Sequence, residues 1–523
     1  MSATNHHHRF TFLAKVAGAV ALLGVAQWLF YGEEPGGTLG IFALAWAAVL
    51  ALTRPDLRRS RVALAALLAA AAFGLALVDD PDPLDWCLFW TALATAALLP
   101  QHRFHTAIGW TGRLILHGLV GLVAPIRDLR RWLRAGRSPA RRILPAVLGV
   151  LAIPLIGSVV FLTLFASANP LIGSAFAAIR LPDLSSAILH LLFWSMVLWL
   201  VWPSLRTRLR PIRFEPAATA SLAELPLATL TLSLVTFNAI FAVQNALDLA
   251  FLWSGAPLPA GVTLADYAHQ GAYPLIVTAL LAAAFVLVAT RPGSAGATSR
   301  PVRALILLWV AQNLLLVASS ILRTLDYIDA FLLTELRLAA LAWMALVAVG
   351  LVLIVWRMLG HRTLGWLVNA NALAAGLVLT AATIADLGAI AAAWNVRHAR
   401  AGSDLDLCYL ERLGPSALLP LIELERRAGG PILRDRATWL RTEALAQVER
   451  EQADWHSWTW RNARRLAAAR ASLGDHPPSP SLAPNGRNCG GEPIPADPLP
   501  PTGPRAAPTP PSPPTPLTGA RQP

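Results

Sequence analysis

The stretch Ala318–Arg337, ASSILRTLDYIDAFLLTELR, places charged and aromatic side chains between two long apolar segments. A second stretch, Thr263–Tyr273 (TLADYAHQGAY), interrupts the apolar sequence in the same way. Nearly everything else between residues 12 and 395 is apolar enough to cross a bilayer, so these stretches decide how the chain divides into membrane spans. We predict that they form a polar centre together with an aspartate of a neighbouring span. The candidate residues are Asp248, Asp266, Tyr267, His269, Arg323, Tyr327 and Arg337.

The composition is that of a membrane protein. Of the 523 residues, 55% are hydrophobic and 14% are charged, whereas soluble domains carry about 25% charged residues. The formal net charge of +13 comes almost entirely from arginines. They cluster at the ends of apolar segments, where positive charge orients membrane proteins. We therefore expect a lipid bilayer and no nucleic acid as the partner of this charge, and the preference for Arg over Lys favours a bacterial inner membrane.

The cysteines give no sign of a disulfide framework or a metal site. There are three of them, Cys87, Cys408 and Cys489. They are too few and too scattered for the spacing patterns of either kind of site. We expect neither a metal nor another cofactor.

The charge of the loops predicts an all-α, polytopic fold of about eleven transmembrane helices. Basic loops such as Thr53–Arg61 alternate with acidic loops such as Asp79–Asp85, and basic loops stay in the cytoplasm. The N-terminus is therefore expected inside and the C-terminus outside. The predicted spans are Phe12–Phe30, Leu39–Leu52, Val62–Val78, Leu84–Leu99, Ile143–Ala166, Ala187–Trp202, Leu227–Trp253, Pro274–Thr290, Ala304–Leu322, Leu338–Trp356 and Trp366–Trp394.

The segment Arg103–Ile126 is apolar, but we predict that it lies on the membrane without crossing it. Arg113 and His117 interrupt it four residues apart, on one helix face. An arginine-rich block follows, and a crossing would translocate this block. An amphipathic helix that lies on the cytoplasmic leaflet leaves this basic block in the cytoplasm and avoids the free-energy cost of translocating it.

Beyond the last span the sequence becomes mixed and then proline-rich. Asp404 can begin a helix, Gly414 can end it and Pro415 can begin the next. These signals predict a soluble helical module, a candidate for binding a protein partner, and then a disordered Pro-rich tail. The expected domains are 1–102 (four spans), 103–142 (interfacial helix and basic loop), 143–395 (seven-span core), 396–473 (helical module) and 474–523 (tail).

Polar side chains inside the predicted spans are costly unless they are paired or face a cavity. Asn238 and Asn245 are seven residues apart and share a helix face, Gln312 lies in another span, and Asp386 lies in the last span. For the amides we favour the simpler interpretation, in which they tie helices together by weak hydrogen bonds of about 0.6 kcal/mol.

The charged residues Asp248 and Arg323 point to a function or to a specific ion pair. An unpaired charge at membrane depth costs at least about 2.5 kcal/mol. We predict that Arg323 pairs with Asp248 or Asp266 and helps to bind an anionic group. The alternative is an arginine that extends to the membrane surface and only marks its edge.

Several of these stretches resemble a family of bacterial integral-membrane proteins, grouped as domain of unknown function four-one-seven-three. The resemblance covers roughly residues 140–425 and implies a membrane protein without an established activity. The residues that carry it are TLADYAHQG (263–271), SSILR (319–323), Tyr327, Thr334, Arg337, Leu338, Asn395, Arg397 and LCYLERLGPSALLP (407–420).

The chain departs from the family pattern at three positions. The resemblance implies a basic residue where His269 stands, an aromatic residue where Ala272 stands and a glycine where Leu332 stands. An activity that depended on these positions would be altered in this member of the family.

Three classes of function remain open. The favoured one is a non-enzymatic accessory or signalling component whose outer module binds a partner. This agrees with the absence from the sequence of Walker, HExxH, GxSxG and dinucleotide-binding motifs. The others are a transporter, which the charges at membrane depth favour, and a membrane-embedded enzyme that acts on an anionic lipid or cell-wall precursor through the outer polar cluster.

Overall fold

A computed structural model describes residues 3–135, 184–207, 226–254, 299–398 and 405–494, except 475, 484, 485 and 489, together with the isolated residues 154, 157, 158, 278, 281 and 285. Every regular element in these ranges is helical, as predicted. The helices are α1 (Ala3–Phe30), α2 (Thr38–Thr53), α3 (Pro55–Arg59), α4 (Arg61–Asp79), α5 (Pro83–Leu98), α6 (Ala107–Ala135), α7 (Leu184–Leu205), α8 (Leu227–Asp248, continued by a π-helical turn), α9 (Arg300–Phe331), α10 (Glu335–Leu359), α11 (Leu364–Ile384), α12 (Leu387–His398), α13 (Leu407–Arg412), α14 (Leu418–Arg427), α15 (Pro431–Ala453) and α16 (Trp460–Leu473).

The helices α1, α2, α4, α5 and α7 pack around a common aromatic core. Trp46 and Phe89 are fully buried in it, with ring centroids 5.7 Å apart. The indole N–H of Trp46 donates to the Ser204 hydroxyl at 2.9 Å, so a polar atom in an apolar core has its partner. Asp82 caps α5 by accepting from the backbone N–H of Leu84 at 2.6 Å, which fixes where that helix begins.

A buried arginine fastens one end of this bundle. The Arg54 guanidinium donates to the carbonyl oxygens of Ala97 at 2.8 Å and Ser204 at 3.1 Å, and it pairs with Asp56 at 2.6 Å. Residue 54 follows α2, Ala97 ends α5 and Ser204 ends α7, so these three helices finish at the same level. We call this level the Arg54 end of the membrane helices, and the opposite level, where α4 finishes at Asp79, the Asp79 end.

The helices α8 to α11 share a second core. Trp309 of α9 packs against Phe237 and Phe241 of α8, with ring centroids 5.3 Å and 5.5 Å apart. Leu351 of α10 and Leu367 of α11 are buried in the same cluster. The two cores give the chain the internal packing of a multi-pass membrane protein.

The number of membrane spans is only partly accounted for. In the part of the chain that the structure describes, eight helices are long and apolar enough to cross a membrane, and α2 and α5 are shorter apolar helices. A multi-pass helical membrane protein is therefore confirmed. The predicted spans Ile143–Ala166 and Pro274–Thr290 lie outside the described residues, apart from isolated positions, so the count of eleven stays a prediction.

Two predicted boundaries are wrong. The last span, Trp366–Trp394, is two helices, because the chain leaves the helical conformation at Ala385 and Asp386 caps α12 through the backbone N–H of Ala389 at 3.0 Å. The acidic stretch Thr324–Glu335 is expected as a loop, but α9 continues through it as a helix as far as Phe331. Its charged residues do not end the helix, because side chains at the membrane surface can project into water.

Both ends of α6 contact the Arg54 end of the bundle. The indole N–H of Trp110 donates to Thr95 at 3.0 Å, near the end of α5. At the other end of the helix, Asp128 accepts from the indole of Trp202 at 3.2 Å and pairs with Arg206 at 3.4 Å. A helix of 29 residues is about 43 Å long and would reach both faces if it crossed. The interfacial placement of the Arg103–Ile126 segment stays a prediction, because Ala107–Arg131 of α6 is itself one of the eight described helices long and apolar enough to cross a membrane.

The last four helices, α13 to α16, which we call the C-terminal helices, enclose a third core. Leu410, Leu418 and Val448 are fully buried in it. Ala392 and Val396 of α12 belong to the same cluster. The core of the C-terminal helices is therefore continuous with α12.

The first part of the expected disordered tail packs against the C-terminal helices. Arg441 of α15 donates to the carbonyl oxygen of Pro478, and Arg487 pairs with Asp435 at 3.2 Å. Ala483 is only 6% exposed. The described residues up to 494 therefore contact α15, and the extent of the disordered tail stays a prediction. Composition alone predicts disorder for a proline-rich segment. It does not reveal the contacts that α15 makes with this segment through Arg441 and Asp435.

One cysteine takes part in a disulfide, which the spacing of the three cysteines did not predict. Cys408 is disulfide-bonded, whereas Cys87 is a free, exposed thiol. Spacing rules fail here because the fold brings together segments that are far apart in the sequence. Structural disulfides persist in oxidising compartments, which bears on the side of the membrane where α13 lies.

Candidate polar site between two membrane helices

The centre of the candidate site is a buried ion pair. Arg323 of α9 donates to the Asp248 carboxylate at the end of α8, and the two side chains are 8% and 1% exposed. Gln244, one turn earlier, also donates to this carboxylate at 3.1 Å. The helix continues past Asp248 as a π-helical turn over Leu249–Trp253, and a carboxylate buried to this extent is unfavourable without a counter-charge. The guanidinium supplies the charge that allows Asp248 to remain in this position.

The amides of the predicted site join α8 to α9 on the N-terminal side of the ion pair in both helices. Gln312 donates to the side chain of Asn238 at 2.8 Å, and Asn238 donates to the carbonyl of Leu305 at 3.1 Å. Asn245 donates to the backbone carbonyl of Gln312 at 3.3 Å. This is the arrangement expected of amides that tie helices together, and it sets the register in which Asp248 meets Arg323.

Some acceptor oxygens in this network have no hydrogen-bond partner among the described residues. They are Oδ2 of Asp248, Oδ1 of Asn245 and Oε1 of Gln312. Buried acceptors are normally satisfied. These oxygens can therefore accept hydrogen bonds from a further donor, such as water or a protonated group.

Tyr327 lies near the end of α9 and Arg337 in the first turn of α10, and their described contacts are with each other and with the α9–α10 turn. The Arg337 guanidinium lies 4.4 Å from the centre of the Tyr327 ring. It donates to the carbonyl oxygens of Phe331, at 2.6 Å, and Leu332. These are carbonyls that a helix end leaves without partners. Arg337 therefore caps α9 from the following helix.

Leu332, between α9 and α10, has a backbone conformation that favours glycine. Its φ is +66° and its ψ is 171°, a region occupied almost only by glycine and costing other residues about 1–3 kcal/mol. The family resemblance implies a glycine at this position, and the turn gives the physical reason.

The side chain of Asn395, in α12, holds this turn. Its Oδ1 accepts from the backbone N–H of Leu333 at 2.7 Å, and its Nδ2 donates to the carbonyl of Leu333 at 2.9 Å. The hydroxyl of Tyr409 accepts from the backbone N–H of Glu335 at 3.0 Å. Asn395 and Tyr409 thereby fix the α9–α10 turn against α12 and α13.

Replacing Leu332 with glycine is expected to stabilise the protein. The strain of about 1–3 kcal/mol disappears, partly offset by about 0.5–1 kcal/mol of extra backbone entropy in the unfolded chain. Leu336→Gly is the matched control, because Leu336 lies in helical conformation and is 83% exposed, so glycine costs about 1 kcal/mol there. Thermal unfolding in detergent measures both; a lower midpoint for Leu332→Gly would contradict the strain.

Asp386, predicted as an intramembrane residue, has a different position. It lies at the break between α11 and α12, and its carboxylate pairs with Arg465 of α16. The remaining predicted site residues, Asp266, Tyr267 and His269, lie outside the described residues.

Sequence reasoning missed an arginine–aspartate contact between α16 and the Asp79 end of the membrane helices. Arg461 pairs with Asp79 at 2.9 Å and with Asp80 at 2.8 Å, and Arg464 pairs with Asp79 at 2.7 Å. Arg461 also donates to the carbonyl of Thr383 at 3.2 Å. Burial raises the pKa of Asp80 although two arginines oppose the shift, and Asp80 is still 41% exposed, so this contact is partly buried. The feature of the sequence that could have indicated this contact is the charge complementarity between an Asp-rich loop and an Arg-rich helix.

Comparison with known proteins identifies one family. A family model described as "Domain of unknown function (DUF4153)" matches residues 62–424. No curated protein and no solved structure matches the chain. The matched range runs from α4 into α14 and includes the ion pair and the α9–α10 turn. The resemblance to a membrane-protein family of unknown function is confirmed, but the number of the family is 4153 and not four-one-seven-three.

Proposed function

This chain belongs to the DUF4153 family, and from that premise we propose that it is a non-enzymatic accessory or signalling component of a bacterial cytoplasmic membrane. In this proposal, the C-terminal helices lie outside the membrane and bind a protein partner. The observation that carries it is the arginine–aspartate contact of Arg461, Arg464 and Arg465 with Asp79, Asp80 and Asp386.

The contact supports this function because it couples the C-terminal helices to both membrane bundles. Asp79 ends α4 in the first bundle, whereas Asp386 follows α11 in the second. A partner bound to the C-terminal helices would change the environment of both. Partly exposed ion pairs are individually weak, so such a contact can be made and broken at low cost.

The predicted polar centre also supports a non-enzymatic function. An enzyme or transporter that bound an anionic group there would need an available arginine. Arg323 is already neutralised by Asp248, and Arg337 is engaged by Tyr327 and two backbone carbonyls. One observation favours the transporter alternative: the buried Oδ2 of Asp248 has no hydrogen-bond partner among the described residues, and intramembrane carboxylates often belong to ion or proton pathways.

The side of the membrane can be tested with periplasmic reporter fusions. A fusion after Gly136 is expected to be inactive, because α6 and the basic block stay in the cytoplasm. A fusion after Leu473 is expected to be active, in agreement with the disulfide at Cys408. An active reporter after Gly136 would overturn the interfacial placement of α6, and an inactive one after Leu473 would place the C-terminal helices inside.

The partner can be tested by photo-crosslinking in living cells. A photoreactive residue at Glu443, which is exposed on α15, is expected to give one discrete protein adduct. A photoreactive residue at Ile108, 72% exposed on α6, is the control and should give lipid adducts. Loss of the Glu443 adduct in an Arg461→Glu background would show that binding of the partner depends on the arginine–aspartate contact. Absence of any protein adduct from Glu443 and the neighbouring exposed positions would contradict the proposal.

A further inference from the structure

Two loops that are distant in the sequence meet at the Asp79 end and bring three potential metal ligands together. Asp454 and His456 lie between α15 and α16, and Glu33 lies between α1 and α2. Nδ1 of His456 is 3.1 Å from Oδ1 of Asp454 and 3.7 Å from Oε2 of Glu33. The three ligand atoms all lie within 4.8 Å of one another.

The backbones of the two loops are joined closely enough to hold this arrangement. The N–H of Gly36 donates to the carbonyl of His456 at 2.7 Å, and the N–H of Gly37 donates to the carbonyl of Trp458 at 2.8 Å. A Cβ on Gly36 would lie 2.3 Å from the carbonyl of Ser457. Only glycine allows this approach, so the sequence is built for the junction that positions the ligands.

We propose that Glu33, Asp454 and His456 form a binding site for a divalent transition-metal ion of the zinc class. Zinc–ligand bonds of about 2.0–2.1 Å in a tetrahedron place neighbouring ligand atoms about 3.3 Å apart. The separations of 3.1 Å and 3.7 Å lie on either side of that value. One imidazole and two carboxylates suit zinc better than calcium or magnesium.

The surroundings leave access to the ion and support the histidine. His456 is 13% exposed, whereas Glu33 is 43% exposed, so a fourth position is open to water. The ring of Trp455 lies 3.8 Å from that of His456 and 4.9 Å from that of Trp28 in α1. A bound ion would fasten the α1–α2 loop to the C-terminal helices, independently of whether those helices bind a partner.

The test uses the full chain, purified in detergent and stripped with a chelator. His6, His7 and His8 are replaced by alanine, because adjacent histidines bind zinc by themselves. Titration calorimetry with zinc chloride is expected to show one ion per chain, and X-ray absorption is expected to show one nitrogen ligand with oxygen ligands. Magnesium chloride should give no comparable heat.

Substitutions then identify the ligands. His456→Ala is expected to weaken zinc binding at least about tenfold, the loss that even supporting residues of metal sites produce. Glu33→Gln should do the same and serves as the second variant if His456→Ala does not fold. Glu34→Gln is the matched control, because Glu34 is an exposed neighbour outside the trio. The proposal is overturned if saturable binding is missing, or if it survives both ligand substitutions.

Discussion

Replacing Arg323 with alanine is expected to lower the free energy of unfolding by about 3–5 kcal/mol, because removal of one partner leaves the other charge buried and uncompensated. Asp248, at 1% exposure, would be the remaining charge. Asp248→Asn should have an effect in the same direction, because it leaves the guanidinium without its counter-charge. Thermal unfolding in detergent measures both changes.

Two further variants make this prediction specific to the pair. Asp329→Asn changes an exposed carboxylate on the same helix, and is expected to alter stability by less than about 0.5 kcal/mol. The double variant Arg323→Met, Asp248→Leu replaces the pair with apolar groups and should recover much of the loss. If the double variant Arg323→Ala, Asp248→Asn loses the sum of the two single losses, the pair does not stabilise α8 against α9.

Asn395→Ala is expected to destabilise the protein by about 2–4 kcal/mol, since it leaves a buried N–H and a buried C=O without partners. Both groups belong to Leu333, which is 5% exposed, while Asn395 itself is 1% exposed. The effect should appear as a lower unfolding midpoint and faster hydrogen exchange in the α9–α10 turn.

Asn371→Ala is the control for this substitution. Asn371 donates to the carbonyl of Leu367 within its own helix, at 2.9 Å. That carbonyl already accepts a helical hydrogen bond, so loss of the Asn371 side-chain hydrogen bond should cost less than about 1 kcal/mol. Equal effects of the two substitutions would show that Asn395 is not specific to the turn.

The sequence predicted those features that depend on local pattern. Long apolar segments identified the membrane helices, because hydropathy and length alone decide whether a helix can span. The cost of unpaired charges singled out Asp248 and Arg323, and the structure pairs them. The family resemblance indicated Asn395 and the residues LCYLERLGPSALLP without showing that Asn395 and Tyr409 hold the turn after α9.

The features that were missed depend on contacts between distant segments. Asp386 looked like an intramembrane residue because it lies in an unbroken apolar run, yet a side-chain cap and Arg465 give it a role at a helix break. Arg461 meets Asp79 across 382 positions of sequence, a pairing that no local pattern specifies. The packing of Arg487 on Asp435 was missed for the same reason.

The central claim is that the C-terminal helices are fastened to the membrane helices by the arginine–aspartate contact. Hydrogen–deuterium exchange of α16 (Trp460–Leu473) in the full-length protein tests it most directly. Arg461→Glu is expected to accelerate exchange in α16, and the swap that adds Asp79→Arg and Asp80→Arg should slow it again. Arg470→Glu, at a residue whose partner Glu449 lies within the C-terminal helices, is the control and should leave the contact with the membrane helices intact. Unchanged exchange in Arg461→Glu, or acceleration that the swap does not reverse, would contradict the claim.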